Sequence, residues 1–387
     1  MHRHTIAPRH DWCEQASTLG FHFHSIGGEP YWDESVCYRF SLRQIEDDIE
    51  APSAELEAMC LALVEDAVES EALLRRMAVP EAHWTLIRDS WRTREPALYG
   101  RMDLTYDGQG PARFYEYNAD TPTGLYEAAF FQWVWLEQCR ERGVLPERAD
   151  QYNLIQDALV ERLQRIGLAG EPFHLACCRD HIEDEGTVTY LADCANQAGL
   201  QPHLLYIDDI GHVPGKGFVD LHDQPILQLF KLYPWEWLLE EDFAHHLARS
   251  RTRFIEPVWK TLLSNKAILP LLWQRHRGHP NLIPACFADE PDAALLGTRW
   301  VRKPFFSREG ANIQVESEGG VELATPGPYE QGPAILQSWC PPPCMGGEHP
   351  IIGSWLVGGR PVGMGIREDR SAITQDSSRF VPHYILD

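Results

Sequence analysis

The chain has 387 residues, of which 44% are hydrophobic and 24% are charged, a composition typical of a globular protein with a substantial core. Its formal net charge of −23 disfavours anionic partners, so neither a nucleic acid nor a membrane is expected to bind it. The N-terminus lacks the apolar stretch of a secretory signal and no apolar run could span a bilayer. With ten unevenly spaced cysteines, we expect free thiols in a cytoplasmic protein.

The first half of the chain changes from helical to extended patterns. Residues 41–77 predict helix with a break at Pro52 and Ser53 as the following N-cap, since apolar residues then recur at helical spacing. Residues 81–94 predict a second helix. Residues 99–118 alternate around a Gly-rich turn and predict a β-hairpin, which a helix follows.

The second half begins with helix, strand, helix and strand over residues 151–210, which predicts a compact α/β unit with a parallel strand pair. Cys177 and Cys178, in its first strand, are predicted to be core residues. Residues 225–275 read as mostly helical, and strands return from Trp300 onward. The fold class is therefore mixed α/β, and four segments are expected: 1–40, 41–150 with the hairpin, 151–225 as an inserted α/β substrate unit, and 226–387.

The hairpin carries the first candidate site. Residues two apart on a strand share a face, so Arg101 and Asp103 point together, as do Glu116 and Asn118 on the partner strand. Two carboxylates and an amide oxygen are ligands that Mg²⁺ prefers, and an arginine can neutralise a transferring phosphoryl group. Residues 119–124 then lead into a helix N-terminus that favours an anion. The alternative is an exposed hairpin with ordinary charged residues.

A second candidate site lies in the sequence WVRKPFFSREGANIQV. Lys303 ends a strand, and residues 307–311 form a Gly-containing loop that could fold over nucleotide phosphates with backbone N–H groups. Lys266 lies upstream. The sequence has no G-x-x-x-x-G-K-[ST] motif, so a P-loop is not supported. The alternative is a simple hairpin turn.

Together these regions carry a resemblance to the glutathionylspermidine synthase family, specifically its synthetase domain and stand-alone members. The matching segments, in order, are LYGRMD, YEYNADTPTGLYEAA, LSNKAILPLLW, VRKPFFSREGANI and GMGIREDRSAIT. The resemblance runs from about Tyr31 to the C-terminus. It implies an ATP-grasp fold like that of glutathione synthetase-like ligases, in which two lobes hold ATP. It also implies an ATP-dependent acid–amine ligase that works through an acyl phosphate.

The resemblance assigns roles to individual residues. Asp103, Glu116 and Asn118 would bind Mg²⁺, as two ions, and Arg101 and Arg367 would be catalytic. The ATP site would comprise Lys266, Lys303, Gly310, Gln337, Ala372, Ile373 and Thr374. The acid would bind at Thr121 and Thr123.

The amine site would include Glu183 and Asp184, since carboxylates favour a cationic substrate; the alternative is a solvated acidic turn. Glutathione is a candidate acid and a polyamine a candidate amine. Two other functions are compatible with the same fold: an ATPase or phosphotransferase, and a nucleotide-binding regulatory protein.

Overall fold

A computed structural model describes residues 1–26, 28–375 and 378–387. Its α-helices are α1 Trp12–Thr18, α2 Leu42–Ile45, α3 Ala51–Glu69, α4 Glu71–Arg76, α5 Trp84–Arg92, α6 Gln132–Glu141, α7 Ile155–Ile166, α8 Ile182–Gln197, α9 Trp235–Leu238, α10 Ala244–Leu247, α11 Thr261–Ser264, α12 Ile268–Arg275 and α13 Ala293–Leu296. Short 3₁₀ turns cover Glu81–His83, Ile207–Asp209 and Val258–Lys260, and π-helical turns cover Glu46–Glu50 and Glu127–Phe131.

The strands are β1 His2–Thr5, β2 Ser25–Ile26, β3 Glu29–Pro30, β4 Val36–Phe40, β5 Tyr99–Thr105, β6 Arg113–Asn118, β7 Pro172–Cys177, β8 Gln201–Tyr206, β9 Gly211–Val213, β10 Gly217–Val219, β11 Gln228–Leu232, β12 Arg253–Ile255, β13 Ala285–Phe287, β14 Arg299–Pro304, β15 Gln314–Ser317, β16 Gly320–Ala324, β17 Ala334–Ser338, β18 His349–Val357, β19 Arg360–Asp369, β20 Arg379–Val381 and β21 His383–Ile385.

The long helical run begins where the sequence predicted, at residues 41 and 42. Ser41 caps it, accepting from the backbone N–H of Gln44, whose side chain caps Ser41 in return; this is a capping box. The prediction of Ser53 as an N-cap was wrong. The hydroxyl of Ser53 lies inside the helix and donates to the carbonyl of Ile49 at 2.7 Å. The predicted break at Pro52 was wrong, because the π-helical turn Glu46–Glu50 leads directly into α3, whose first turn contains Pro52.

Three sheets surround the centre of the molecule. The hairpin strands β5 and β6 extend an antiparallel sheet of order β20-β19-β18-β5-β6, so residues from both halves of the chain share it. A second antiparallel sheet has the order β13-β17-β14-β15-β16. The third is parallel, with order β12-β11-β7-β8, and α8 packs on it. The predicted parallel pair is therefore confirmed as β7 and β8.

The mainly helical reading of residues 225–275 was wrong in part. The first part of this segment supplies β11, the strand next to β7, and β12 follows at residues 253–255. All five residues of β11 are buried, as expected for a strand inside a parallel sheet. The predicted segment boundaries stay a prediction. Both β11 and the hairpin pair with strands from other predicted segments.

The hydrophobic core has two main parts. One packs the buried face of α3, including Leu56, Cys60 and Leu63, against the hairpin and α12. The other joins α6, α7 and α8 to the parallel sheet. These two clusters fix the hairpin and the parallel sheet on opposite sides of the space where the polar residues meet.

Candidate active site

A cleft of about 410 Å³ receives side chains from both five-stranded sheets and from the end of β7. Fifteen of the sixteen residues that the sequence singled out line this cleft. They are Arg101, Asp103, Glu116, Asn118, Thr121, Thr123, Asp184, Lys266, Lys303, Gly310, Gln337, Arg367, Ala372, Ile373 and Thr374. The remaining one, Glu183, lies behind this wall.

The hairpin side chains meet as its alternation predicted. Asp103 is the register partner of Glu116, and Arg101 is the partner of Asn118. The Asp103 carboxylate accepts hydrogen bonds from Arg101 Nε at 2.7 Å, from Asn118 Nδ2 at 3.1 Å and from Arg367 Nη2 at 3.0 Å. Two arginines from distant strands therefore share one buried carboxylate, leaving an excess of positive charge at this point.

Glu116 lies at the centre of a second cationic group. Lys266 Nζ is 3.2 Å from Glu116 Oε2 and donates to the carbonyl of Ser307 at 2.6 Å. Burial raises the pKa of Glu116, but Lys266 and Lys303 outweigh it and bring the pKa to about 2. Burial lowers the pKa of Lys303 to about 8, although Glu116 opposes the shift. The Glu116 carboxylate is therefore ionised at neutral pH. Lys303 loses its proton when the pH rises slightly above neutral.

The loop at residues 307–311 closes one wall of the cleft. Gly310 has a φ of +72°, and a Cβ at this position would lie 2.3 Å from the carbonyl oxygen of Thr374. Only glycine lets the loop approach residues 372–374 so closely. Arg308 reaches across the cleft, with Nη2 donating to the carbonyl of Thr121 at 3.3 Å and Nη1 3.4 Å from Glu236.

Several buried polar atoms facing the cleft lack partners. The hydroxyls of Thr121 and Ser307 and the side-chain nitrogen of Gln337 have no hydrogen-bond partner among the residues that the structure describes. Buried polar groups are normally hydrogen-bonded, so these three atoms fit a polar ligand in the cleft. The donor set fits a phosphorylated nucleotide, because lysines, arginines and free hydroxyls surround it.

The donor set also fits Mg²⁺ held jointly with a nucleotide. In the described part of the chain, no three His, Cys, Asp or Glu side chains are grouped to hold a metal by themselves. The hairpin supplies two carboxylates and one amide. Mg²⁺ is commonly held by one or two carboxylates with water and substrate phosphates completing its shell.

The predicted amine residues are two partly buried carboxylates. Asp184 lines the cleft, and burial raises its pKa to about 6. Glu183 accepts a hydrogen bond from the Tyr31 hydroxyl at 2.9 Å. Burial raises the pKa of Glu183, although hydrogen bonds from Tyr31 and Thr123 oppose this shift. Both lie in the first turn of α8 and are partly exposed, so the amine site stays a prediction.

Sequence reasoning missed Glu127, which stands beside this group. Its side chain is 1% exposed, and neither carboxylate oxygen has a hydrogen-bond partner in the described residues. Burial and the charge of Glu183 raise its pKa to about 8. A π-helical turn begins at Glu127, and such turns are frequent at functional sites. Periodicity alone placed Glu127 on an ordinary helix, so no signal marked it.

Sequence reasoning also missed part of the cleft wall. Cys178 is partly exposed and lines the cleft, so its prediction as a core residue was wrong, whereas Cys177 is buried. His181, Trp237 and Tyr329 also line the cleft. No sequence signal separates Trp237 from Trp235, which follows the same proline but is buried in the core.

Comparison with known proteins agrees with this arrangement. The family model for "Glutathionylspermidine synthase preATP-grasp" matches residues 3–386. The chain therefore belongs to the glutathionylspermidine synthase family, and the prediction of an ATP-dependent carbon–nitrogen ligase is confirmed.

Individual relatives cover the chain to different extents. A Haemophilus influenzae protein provisionally named an acid–amine ligase is 43% identical over 98% of both chains. Trypanothione synthetase of Crithidia fasciculata is 27% identical over 81% of this chain, and the bifunctional glutathionylspermidine synthetase/amidase of Escherichia coli is 25% identical over 97% of it. The chain spans only 51% and 63% of the lengths of these two enzymes.

A solved structure shows the same fold. A glutathione synthetase-like effector from Globodera pallida aligns with a TM-score of 0.55 and 12% identity, over 90% of this chain and 89% of that one. The mixed α/β, glutathione synthetase-like fold predicted from the sequence is confirmed. Among the described residues, no helix is both long and apolar enough to cross a membrane.

Proposed function

We propose that this protein joins a small carboxylic acid to an amine in an ATP- and Mg²⁺-dependent reaction. A carboxylate oxygen of the acid attacks the γ-phosphorus of ATP, giving an acyl phosphate and ADP. The amine nitrogen then attacks the carbonyl carbon, the C–O bond to phosphate breaks, and the nitrogen loses a proton. The products are an amide, ADP and inorganic phosphate.

The observation that carries this proposal is the shared carboxylate of Asp103, held by Arg101 and Arg367 beside the Glu116–Lys266 pair. Phosphoryl transfer needs positioning and charge neutralisation more than a covalent nucleophile. Arg101, already aligned by two bonds to Asp103, is placed to stabilise charge on the transferring group. Arg367, on β19 of the same sheet, adds a second positive charge.

Asp103, Glu116 and Asn118 are the residues that would hold Mg²⁺, in our proposal two ions. When bound, the metal would neutralise phosphate charge and orient the terminal phosphoryl group. The cationic partners that these carboxylates have in this structure show that the protein already stabilises them as anions.

The nucleotide would occupy the side of the cleft closed by the loop. Lys266 and Lys303 supply charge to phosphates, while Gly310 and residues 372–374 leave room for close backbone contact. The unpartnered Gln337 side-chain nitrogen and the Ser307 hydroxyl are free to bind the nucleotide. Arg308 bridges the loop to the opposite wall and would help to exclude water, which protects a reactive acyl phosphate.

The two other substrates would lie at the opposite end. The Thr121 hydroxyl, buried and unpartnered, and Thr123 would bind the acid. Glu183 and Asp184 would attract a cationic amine. The named substrates of the relatives make glutathione a candidate acid and a polyamine a candidate amine.

A coupled assay tests the proposal. ADP release is measured on mixing enzyme, ATP and Mg²⁺ with panels of acids and amines, and products are analysed by mass spectrometry. The proposal expects ADP release that requires both substrates and an equal amount of an amide whose mass is the sum of acid and amine minus water. ADP release without any amide would instead indicate an ATPase.

A further inference from the structure

A buried ion pair joins two of the sheets next to the cleft. Lys231 lies on β11 of the parallel sheet, and Asp120 lies just after β6 of the hairpin sheet. Lys231 Nζ is 2.9 Å from Asp120 Oδ1, and each side chain is 1% exposed. Removing two charges from water is costly unless further hydrogen bonds complete their surroundings, so the other contacts of the pair show what it holds in place.

Further contacts hold both members of the pair. Asp120 Oδ2 accepts a hydrogen bond from the backbone N–H of Trp235 at 2.7 Å. Lys231 Nζ donates to the carbonyl of Tyr233 at 2.7 Å and lies 4.3 Å from the centre of the Trp235 ring, within the range of a cation–π contact. Both oxygens of Asp120 are therefore bound, and the segment after β6 is tied to β11 and to the residues that follow β11.

The residues directly after Asp120 form part of the cleft wall. Residues 121–123 all line the cleft, and the backbone carbonyls of all three accept hydrogen bonds from side chains. The donors, in the order of the three carbonyls, are Arg308 at 3.3 Å, the Tyr99 hydroxyl at 3.4 Å and Arg101 at 2.6 Å. The conformation of this short loop is therefore fixed at every residue, and Asp120 anchors the point where it begins.

The anchored loop presents a free polar group. The hydroxyl of Thr121 is buried and has no hydrogen-bond partner in the part of the chain that the structure describes. We propose that Lys231 is a positioning residue for the acid substrate: through Asp120 it fixes residues 121–123 in the conformation that presents the Thr121 hydroxyl to the cleft. This inference rests on the proposed function, which assigns the acid to this loop. Without the ion pair the loop populates other conformations, so the apparent affinity for the acid falls with the fraction that is competent to bind.

The test uses a variant in which neither charge of the pair remains. Removing only one partner would leave the other charge buried and uncompensated, which is strongly destabilising. The double variant Asp120→Asn/Lys231→Met avoids this and keeps an acceptor for the N–H of Trp235. Arg9→Met/Glu34→Gln is the matched control, since this second ion pair has a separation of 2.7 Å and side chains that are 1% and 0% exposed, and neither residue lines the cleft. Circular dichroism confirms that both double variants fold.

The first measurement is amide hydrogen exchange of the free enzyme, which needs no substrate. Mass spectrometry follows the peptide that covers residues 119–125. We expect exchange to be faster by about fivefold or more in the Asp120→Asn/Lys231→Met variant, because the loop opens locally, and to be unchanged in the control. Exchange at the wild-type rate in the first variant would overturn the proposal. An equal increase in both variants would show a general loss of stability and would overturn it as well.

The second measurement separates this inference from the proposed function. For the acid that yields an amide in the coupled assay, the KM should rise roughly tenfold in the Asp120→Asn/Lys231→Met variant, while the Kd of a non-hydrolysable ATP analogue changes less than about twofold. If amide forms with an unchanged KM for the acid, or if ATP binding weakens equally, the ligase function stands and the inference fails. If no acid yields an amide, the proposed function fails, and the exchange measurement still decides whether the ion pair fixes the loop.

Discussion

The two ends of the cleft treat buried carboxylates in opposite ways. At the hairpin end, Asp103 is bound by two arginines and Glu116 by a lysine, so burial is compensated within the protein. At the α8 end, burial dominates: the pKa of Asp184, which lines the cleft, rises to about 6, and that of Glu127, which lies behind the cleft wall, rises to about 8. A buried carboxylate beside a positive side chain stays charged. A buried carboxylate without one is protonated unless a ligand brings a positive charge.

This difference indicates which kind of ligand each end of the cleft would bind. Positive side chains in excess of carboxylates suit phosphate groups and the metal that accompanies them. Carboxylates without cations suit an ammonium group, which would supply the missing charge. We therefore propose that the nucleotide lies at the hairpin end and the amine at the α8 end, and the following changes should break or sharpen that proposal.

The largest effect is expected at the hairpin carboxylates. Asp103→Ala and Glu116→Ala should each lower Mg²⁺-dependent turnover by roughly a thousandfold, because the charge stabilisation by a metal is worth several kcal/mol. The control is Glu318→Ala, which should have no effect. Glu318 is an exposed residue in the turn between β15 and β16 of the other five-stranded sheet. Steady-state ADP release measures both, and unchanged hydrolysis in the two hairpin variants would remove the metal assignment.

Replacing Arg101 should slow the phosphoryl-transfer step rather than weaken ATP binding. We expect Arg101→Ala to lower kcat by about a hundredfold or more, the range for losing a donor to transition-state charge, with little change in ATP affinity. Arg101→Lys should recover only part of the activity, since lysine lacks the planar fork. A variant with normal kcat and weakened ATP binding would place Arg101 in nucleotide binding.

Gly310→Ala should raise the KM for ATP by about tenfold, because the new Cβ would meet the carbonyl of Thr374 at 2.3 Å and push the loop away. Gly278→Ala is the matched control. Its φ of +85° is equally unfavourable for alanine, but no atom lies within 4 Å of the added Cβ. Equal KM values in both variants would show that the loop contact is unimportant for ATP.

The pH dependence should report Lys303. Since burial lowers its pKa to about 8, the free enzyme loses this positive charge as pH rises through 8, and phosphate binding weakens. The kcat/KM for ATP should fall about fivefold between pH 8 and pH 9. Lys303→Arg should keep its charge and flatten the profile. A decline that is identical in the variant would assign the titration to another group.

The last change is expected in stability rather than in activity. Burial raises the pKa of Glu127 from 4.5 to about 8, so the folded chain binds this proton more tightly than the unfolded chain does. Stability from this group is complete below about pH 4.5 and is lost as pH rises towards 8. Glu127→Gln should therefore raise the unfolding free energy at pH 9, on the order of a few kcal/mol, and change it little at pH 4.5. Urea unfolding at both pH values measures this difference.

The hairpin end could be predicted from the sequence because its geometry is local. Alternation on two short strands fixes which side chains share a face, although the pairing of Asp103 with Glu116 also depends on a β-bulge next to Asp103. Arg101, Asp103, Glu116 and Asn118 meet for that reason. Gly310 and Lys303 belong to the same kind of short strand–loop segment.

The other end depends on contacts between distant parts of the chain. Glu183 and Asp184 are adjacent, yet α8 turns one towards Tyr31 and the other into the cleft. Glu127 becomes notable only because Glu183 approaches it from another helix. Likewise, β11 contains Lys231, whose buried charge is compensated by Asp120 from a distant part of the chain. Periodicity carries no information on such pairings.

Transfer of labelled oxygen tests the central claim, that the cleft activates a carboxylate by phosphorylating it. The acid is labelled with ¹⁸O in its carboxylate and turned over with ATP, Mg²⁺ and the amine, and the inorganic phosphate is analysed by mass spectrometry. An acyl phosphate requires one oxygen of the acid to pass into each phosphate released. Phosphate without that label, carrying oxygen from water instead, would contradict the account.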